Sequence, residues 1–219
     1  MRQRWNTDTE RRTTFRTGTL ISPQWVLTAG HCAVGVNGTT EVPDKIRIGS
    51  LSMSGGGTLA HAAAVYPHPT AKLEPCGGGS ASYCFSGVDL ALIKLTAPVK
   101  QRPLVPASHI PALGTDVRLL GWGVIPGPNG EHPAVPDRLH EVTLPTSPAD
   151  KPDRLTFVDK VGRGNSPGDS GGPNVVVTPA GRRLAGVTSG GIVYPDGSHL
   201  SMSTDVSRYL PWLYQTQLG

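Results

Sequence analysis

The segment Gly168-Asp169-Ser170-Gly171-Gly172-Pro173 has the residue types that an exposed nucleophile needs. A serine hydroxyl attacks a carbonyl only when a tight turn holds it out, backbone N–H groups face the oxygen that becomes negative, and small neighbours leave room for substrate. Glycines on both sides of Ser170 provide the turn and the clearance. The N–H groups of Gly168 and Ser170 are the natural donors to the oxyanion. A serine alone is a weak nucleophile, so a base and an orienting acid must lie elsewhere. His31 follows the apolar run Val26-Leu27 in the segment Thr28-Ala29-Gly30-His31-Cys32, at the end of an expected strand, where loop residues that do chemistry commonly sit. A lone histidine there also serves as a structural residue. Asp89 opens the run Leu90-Ala91-Leu92-Ile93-Lys94-Leu95. An acid in that place is either a strand boundary or the buried carboxylate that holds an imidazole in its working tautomer.

The elements that must position these residues are short. Apolar runs at residues 18–21, 25–28, 45–48, 59–65, 90–95, 117–120, 139–144, 174–177, 184–188 and 200–204 are separated by Gly, Pro, Asn and Ser. Several alternate apolar with polar residues, as in Lys45-Ile46-Arg47-Ile48, which is the period of a half-buried strand. About ten strands at this spacing predict an all-β sandwich or barrel. The exception is 206–218, where Val206, Leu210 and Leu213 fall at helical spacing, with Asp205 as the cap and Pro211 in the first turn. The proline-rich stretch 100–111 reads as a connector between two β units.

Composition narrows the class. The chain has 219 residues, 28 of them glycine and 21 proline, and only 16% are charged. That excludes a coiled coil, collagen and a charged disordered tail. The net charge of +4 comes without any run of five basic residues, so nucleic acid is not a predicted partner. No stretch of 18 apolar residues is present, so no membrane helix is expected. The first twenty residues also lack the apolar core of a secretion signal. Of the three cysteines, Cys76 and Cys84 flank the flexible GGGSASY. A bridge there closes a short loop and contributes roughly 2–3 kcal/mol. Two free thiols are the alternative, while metal-ligand spacing is absent.

Together, TAGHC, DLALIKL and GDSGGP, in that order, resemble the three signatures of the trypsin/chymotrypsin-like serine peptidases (peptidase family S1). Gly121-Trp122-Gly123 resembles the family's internal GWG turn, and Gly186-Val187-Thr188-Ser189-Gly190-Gly191 the strand that lines its cleft. The resemblance runs from about Thr17 to the C-terminal helix. It implies an all-β fold of two six-stranded antiparallel β-barrels with a cleft between them and a short C-terminal α-helix. Residues 1–219 then form one peptidase domain, with barrels over about 13–105 and 112–205 and the helix over about 206–217. It implies a serine endopeptidase in which Ser170 attacks, His31 is the general base and Asp89 orients it. Gly168 and Ser170 form the oxyanion hole, and the backbone at Ser189, Gly190 and Gly191 takes the peptide as an added strand. No cofactor or metal is implied. The expected partners are a protein or peptide substrate and a proteinaceous inhibitor, the state a monomer, the location extracellular.

By the same resemblance the base of the primary specificity pocket, six residues before the nucleophile, is Gly164. With no acid there, the pocket is expected to be uncharged, narrowed by Ser201. Arg163 either faces solvent or points in to favour acidic side chains. The Cys76–Cys84 loop is expected to shape sites upstream of the cut bond. Two family disulfides are missing: no cysteine precedes Cys32, which becomes a buried free thiol, and Ser166 stands at a family cysteine position. Asp169 is the acid that family members pair with a processed apolar amino terminus, and Met1-Arg2-Gln3-Arg4 offers none. Either a mature terminus is missing from the start, or an internal cation replaces it, for which Arg118 is the candidate. The departures leave a catalytically silent, zymogen-like binding protein as the alternative, and ester hydrolysis as a third reading.

Overall fold

In the computed structural model, residues 16–35, 38–75, 83–125 and 133–219 are described. The apolar run Trp25–Thr28 forms a strand (β2) buried along its whole length, because it lies between β1 (Thr19–Ser22) and β8 (Ala91–Leu95). With β5 (Ala62–Pro67) these make a four-stranded antiparallel sheet in the order β1-β2-β8-β5. Two separate ribbons accompany it, β3 (Ile46–Ile48) with β4 (Thr58–Ala60) and β6 (Lys72–Pro75) with β7 (Tyr83–Ser86).

The C-terminal half is one six-stranded antiparallel sheet in the order β10-β9-β12-β13-β14-β11. Its strands are β9 (Asp116–Gly121), β10 (His140–Pro145), β11 (Arg154–Asp159), β12 (Pro173–Thr178), β13 (Gly181–Val193) and β14 (His199–Asp205). The sheet curls until its two edges approach, joined past β10 by Ser147 N–H to Thr156 O at 2.8 Å. Of the two closed six-stranded barrels expected, the described residues show one curled six-stranded sheet. Among the described residues the N-terminal half has four strands in its sheet. Residues 49–57 add no strand to β3 and β4: Gly49, Gly56 and Gly57 take positive φ, which breaks the extended backbone a strand needs.

The connector after β8 ties the halves together. Leu104 N–H bonds Leu20 O at 2.9 Å in β1, and Leu184 N–H in β13 bonds Val105 O at 2.9 Å. Beneath it one apolar cluster draws from both halves: Trp25, Leu27, Leu90 and Leu92 pack with Leu184, Val187, Val206 and Leu213. Burying each such side chain contributes roughly 1.5–3 kcal/mol, so the two halves are fixed relative to each other at the level of the cleft. The chain ends as expected in shape. Asp205 accepts Ser207 N–H at 2.9 Å, a single 3-10 turn follows over Val206–Tyr209, and α1 spans Leu210–Leu218 with Pro211 in its first turn. No described helix is long and apolar enough to cross a membrane.

Candidate active site

Antiparallel pairing of β2 with β8 puts the end of one strand beside the start of the other, with Thr28 opposite Ala91. The chain therefore leaves β2 into the turn Gly30–Cys32 at the point where Asp89 enters β8. Both side chains are buried, His31 at 9% exposure and Asp89 at 8%. His31 N–H donates to Asp89 Oδ1 at 2.8 Å, and Nδ1 of the ring stands 3.0 and 2.9 Å from the two carboxylate oxygens. The ring is thereby held with Nδ1–H toward Asp89 and Nε2 turned away, the tautomer a general base requires.

A third donor reaches Asp89. The Ser189 hydroxyl makes a short hydrogen bond to Oδ2. Its aim comes from an irregularity in β13: the register against β14 shifts between Thr188 and Gly190 and leaves Ser189 out of the ladder. A bulge of this kind re-aims one side chain. Burial works against charge on both partners. For His31 the Asp89 carboxylate overrides it and raises the ring's pKa above the ordinary imidazole value. For Asp89, facing His31 and the Ser189 hydroxyl lower the pKa below the carboxylate value despite burial.

The turn carrying Ser170 is clamped to this corner by backbone. Ser170 O accepts Thr17 N–H at 3.0 Å, and Thr17 O accepts the Thr28 hydroxyl of β2 at 2.8 Å. Gly171 N–H and Thr188 O pair at 2.8 Å, tying the same turn to β13. Gly171 has φ +83°, and a Cβ there would collide with Thr17 O and Thr28 Oγ1 and lie 3.2 Å from Ala29 N. Only glycine lets the turn carrying Ser170 press against the residue two before His31. Gly168 has φ +103°, and among the described residues neither its N–H nor that of Ser170 is given to an acceptor. The expected oxyanion donors are thus available.

The chain matches the family model described as Trypsin over residues 2–213. The chain belongs to the trypsin family. It is 29% identical over 214 residues to human Kallikrein-5, covering 90% of this chain and 66% of that protein. It is 30% identical to Kallikrein-15 of Saguinus oedipus over 241 residues, covering 98% of this chain and 86% of that one. The fold is also that of mouse neuropsin, a serine protease, with a TM-score of 0.70 at 23% identity over 93% of this chain and 89% of that one. The match places the chain among trypsin-like serine proteases of peptidase family S1.

Against the family pattern, Asp169 is the first correction. Arg118 does not reach it, because Arg118 alternates outward on β9 and pairs with exposed Glu141 of β10 at 3.4 Å. Among the described residues the Asp169 carboxylate is held by neutral donors instead. Gly123 N–H reaches Oδ1 at 2.7 Å, and Ser166 N–H and hydroxyl reach Oδ2 at 2.7 and 3.2 Å. This gives the Gly121-Trp122-Gly123 turn of this chain a physical reason. A Cβ on Gly121 or on Gly123 would collide with that carboxylate.

The residues expected to form the pocket also come together. Asn165 N–H bonds Ser201 Oγ at 3.1 Å, and Gly190 and Gly191 of β13 lie opposite Met202 and Ser201 of β14. Gly164 packs against Ser201 and His199. The two alternatives for Arg163 resolve toward solvent: its guanidinium pairs with Asp159 at 2.7 Å, away from Gly164. Cys32 is a buried free thiol, as expected. Cys84 is disulfide-bonded, while Cys76, its expected partner, lies outside the described residues. Next to Cys84 in β7, Phe85 meets the His31 ring edge-on at 6.1 Å between centroids. The family resemblance set Ser189 down only as a cleft-lining residue, and Phe85 and His199 carried no motif by which a sequence could single them out.

Proposed function

We propose that this trypsin-family chain is a serine endopeptidase working through a His31–Asp89–Ser170 triad and an acyl-enzyme. Ser170 Oγ adds to the peptide carbonyl while His31 Nε2 takes its proton. The new oxyanion is met by the N–H groups of Gly168 and Ser170. The C–N bond breaks as His31 returns the proton to the leaving amine. Water, activated by the same ring, then hydrolyses the ester on Ser170. Asp89 stays ionised throughout and stabilises the imidazolium. The substrate backbone adds alongside Ser189, Gly190 and Gly191 of β13.

The observation that carries this reading is the buried His31–Asp89 pair locked by Ser189, on a turn pressed against Gly171. A binding relative would have no use for a histidine ring whose Nδ1 is held by a buried carboxylate that the His31 amide and the Ser189 hydroxyl also fix in place. The primary pocket is uncharged, since Gly164, Asn165 and Ser201 carry no charge and burial lowers the His199 pKa. An oxidised Cys84 fits an extracellular enzyme. The test is intact-mass spectrometry after treatment with a fluorophosphonate. One adduct on the wild-type chain and none on Ser170→Ala supports the reading, and a folded wild-type chain that takes no label overturns it.

A further inference from the structure

The primary pocket of this chain contains an unexpected side chain. The strand β14 begins His199-Leu200-Ser201-Met202-Ser203, and its alternation buries His199, Ser201 and Ser203. His199 lies in the middle of the sheet, opposite Val193 on one side and Asp159 on the other, and is only 7% exposed. Its ring lies between the two glycines that bound the pocket. A Cβ on Gly164, at the base, would stand 2.8 Å from two carbons of the ring. A Cβ on Gly191, on the wall that takes the substrate backbone, would stand 2.7 Å from His199 Nε2. Asn165 Oδ1 is also 2.7 Å from that second point. The imidazole thus spans the pocket from base to mouth, with the Asn165 amide beside it.

We propose that His199 and Asn165 fill the primary pocket and restrict cleavage to peptide bonds that follow short, uncharged side chains of the size of alanine or serine. This rests on the endopeptidase reading above. The filling is consistent with both glycines, since any side chain at 164 or 191 would overlap the ring. The floor is polar as well as high. Neither His199 Nε2 nor Asn165 Oδ1 has a hydrogen-bond partner, although both atoms are buried. A leucine, phenylalanine or lysine side chain entering here would have to displace the ring, and an apolar one would meet two unpaired polar atoms that it cannot partner. A one-carbon or hydroxymethyl side chain stops above them.

The test uses the full chain and peptidyl phosphonate esters that differ only in the residue mimicking the one before the cut bond, beside a plain fluorophosphonate. The Ala-type probe is expected to label Ser170 fastest, with Phe- and Lys-type probes slower by about 10–100-fold. His199→Ala should raise the Phe-type rate relative to the Ala-type rate by on the order of tenfold, and Asn165→Ala should move it the same way by less. If the fluorophosphonate labels Ser170 but the Leu-, Phe-, Lys- or Arg-type probe is fastest on the wild-type chain, the pocket proposal is wrong and the protease reading stands. If the fluorophosphonate fails as well, both fall together. The wild-type order alone decides the matter should either variant not fold.

Discussion

Two carboxylates belong to the candidate site, and among the described residues each is met by three donor groups. Asp89 takes the His31 amide, the His31 ring and the Ser189 hydroxyl. Asp169 takes the amides of Gly123 and Ser166 and the Ser166 hydroxyl. One is buried and the other half-buried, yet the difference that matters is the partner. In the proposed mechanism the imidazole facing Asp89 gains a proton during the reaction, so the acid's charge acts on a changing group and lowers a barrier. Amides and a hydroxyl facing Asp169 keep the same charge throughout. Its negative charge can only fix where the backbone runs, and the backbone in question carries the oxyanion donors on either side of it.

The sharpest way to break the comparison is Asp89→Asn. Asparagine keeps the shape and loses the charge that makes imidazolium cheap, and its amide can force the other tautomer. We expect kcat to fall by about 10⁴ with KM nearly unchanged, measured on a peptide ester. The pH profile should move too. Asp89 raises the His31 pKa by stabilising the protonated ring. Removing the charge lowers that pKa, so the residual activity should rise with pH at lower values than in the wild-type chain. An ascending limb that stays in place would mean that Asp89 does not set the protonation of His31.

Asp169→Asn tests the other arm. An amide presents one oxygen and one NH₂, so at least one of its N–H groups must face a donor from Gly123 or Ser166. The turn from Ser166 to Pro173 should lose its set course while the clusters beneath it remain packed. We expect kcat to drop by about 10²–10³, the effect of losing an oxyanion donor, with no shift of the pH limb and a small change in melting temperature. A shifted limb would merge the two carboxylates into one electrostatic system and remove the distinction drawn above.

The ease with which each arm could be read from the sequence follows the same division. Ser170, His31 and Asp89 stand in local patterns, a glycine-flanked turn and two strand boundaries, and the fold brings them together because β2 and β8 are antiparallel neighbours. Most of the strands were legible from alternation, including β9 and β14. β6, β7 and β11 were not; for β11 the prolines at 145–152 hid the alternation of Leu155 and Phe157 that follows them. The hydroxyl of Ser189 was legible only as part of a cleft strand, since its turn toward Asp89 depends on a register shift that no residue type announces. Arg118 stood out as a partner for Asp169 because a cation has a sequence signature. The actual partners include two backbone amides, which every residue but proline carries. His199 was invisible for the converse reason: one inward histidine among alternating serines looks like any polar strand residue until the two glycines facing it are known.

The smallest effects discriminate most finely between neutral donors and a cation at Asp169. Ser166→Ala removes one hydroxyl at 3.2 Å from the carboxylate and leaves both amides in place. A bond to a charged group contributes about 1.5–3 kcal/mol; this one is long and half-exposed, so the low end applies and kcat should fall about tenfold. Arg118→Met removes a full charge, but from an exposed pair with Glu141 on the outer face of β9 and β10. Such pairs contribute about 0–1 kcal/mol, so activity should stay within about twofold. The order of the two variants is the informative quantity. A cation acting through space would make Arg118→Met the more damaging change. A turn held by directed bonds makes the loss of one neutral hydroxyl matter more than the loss of a whole positive charge nearby.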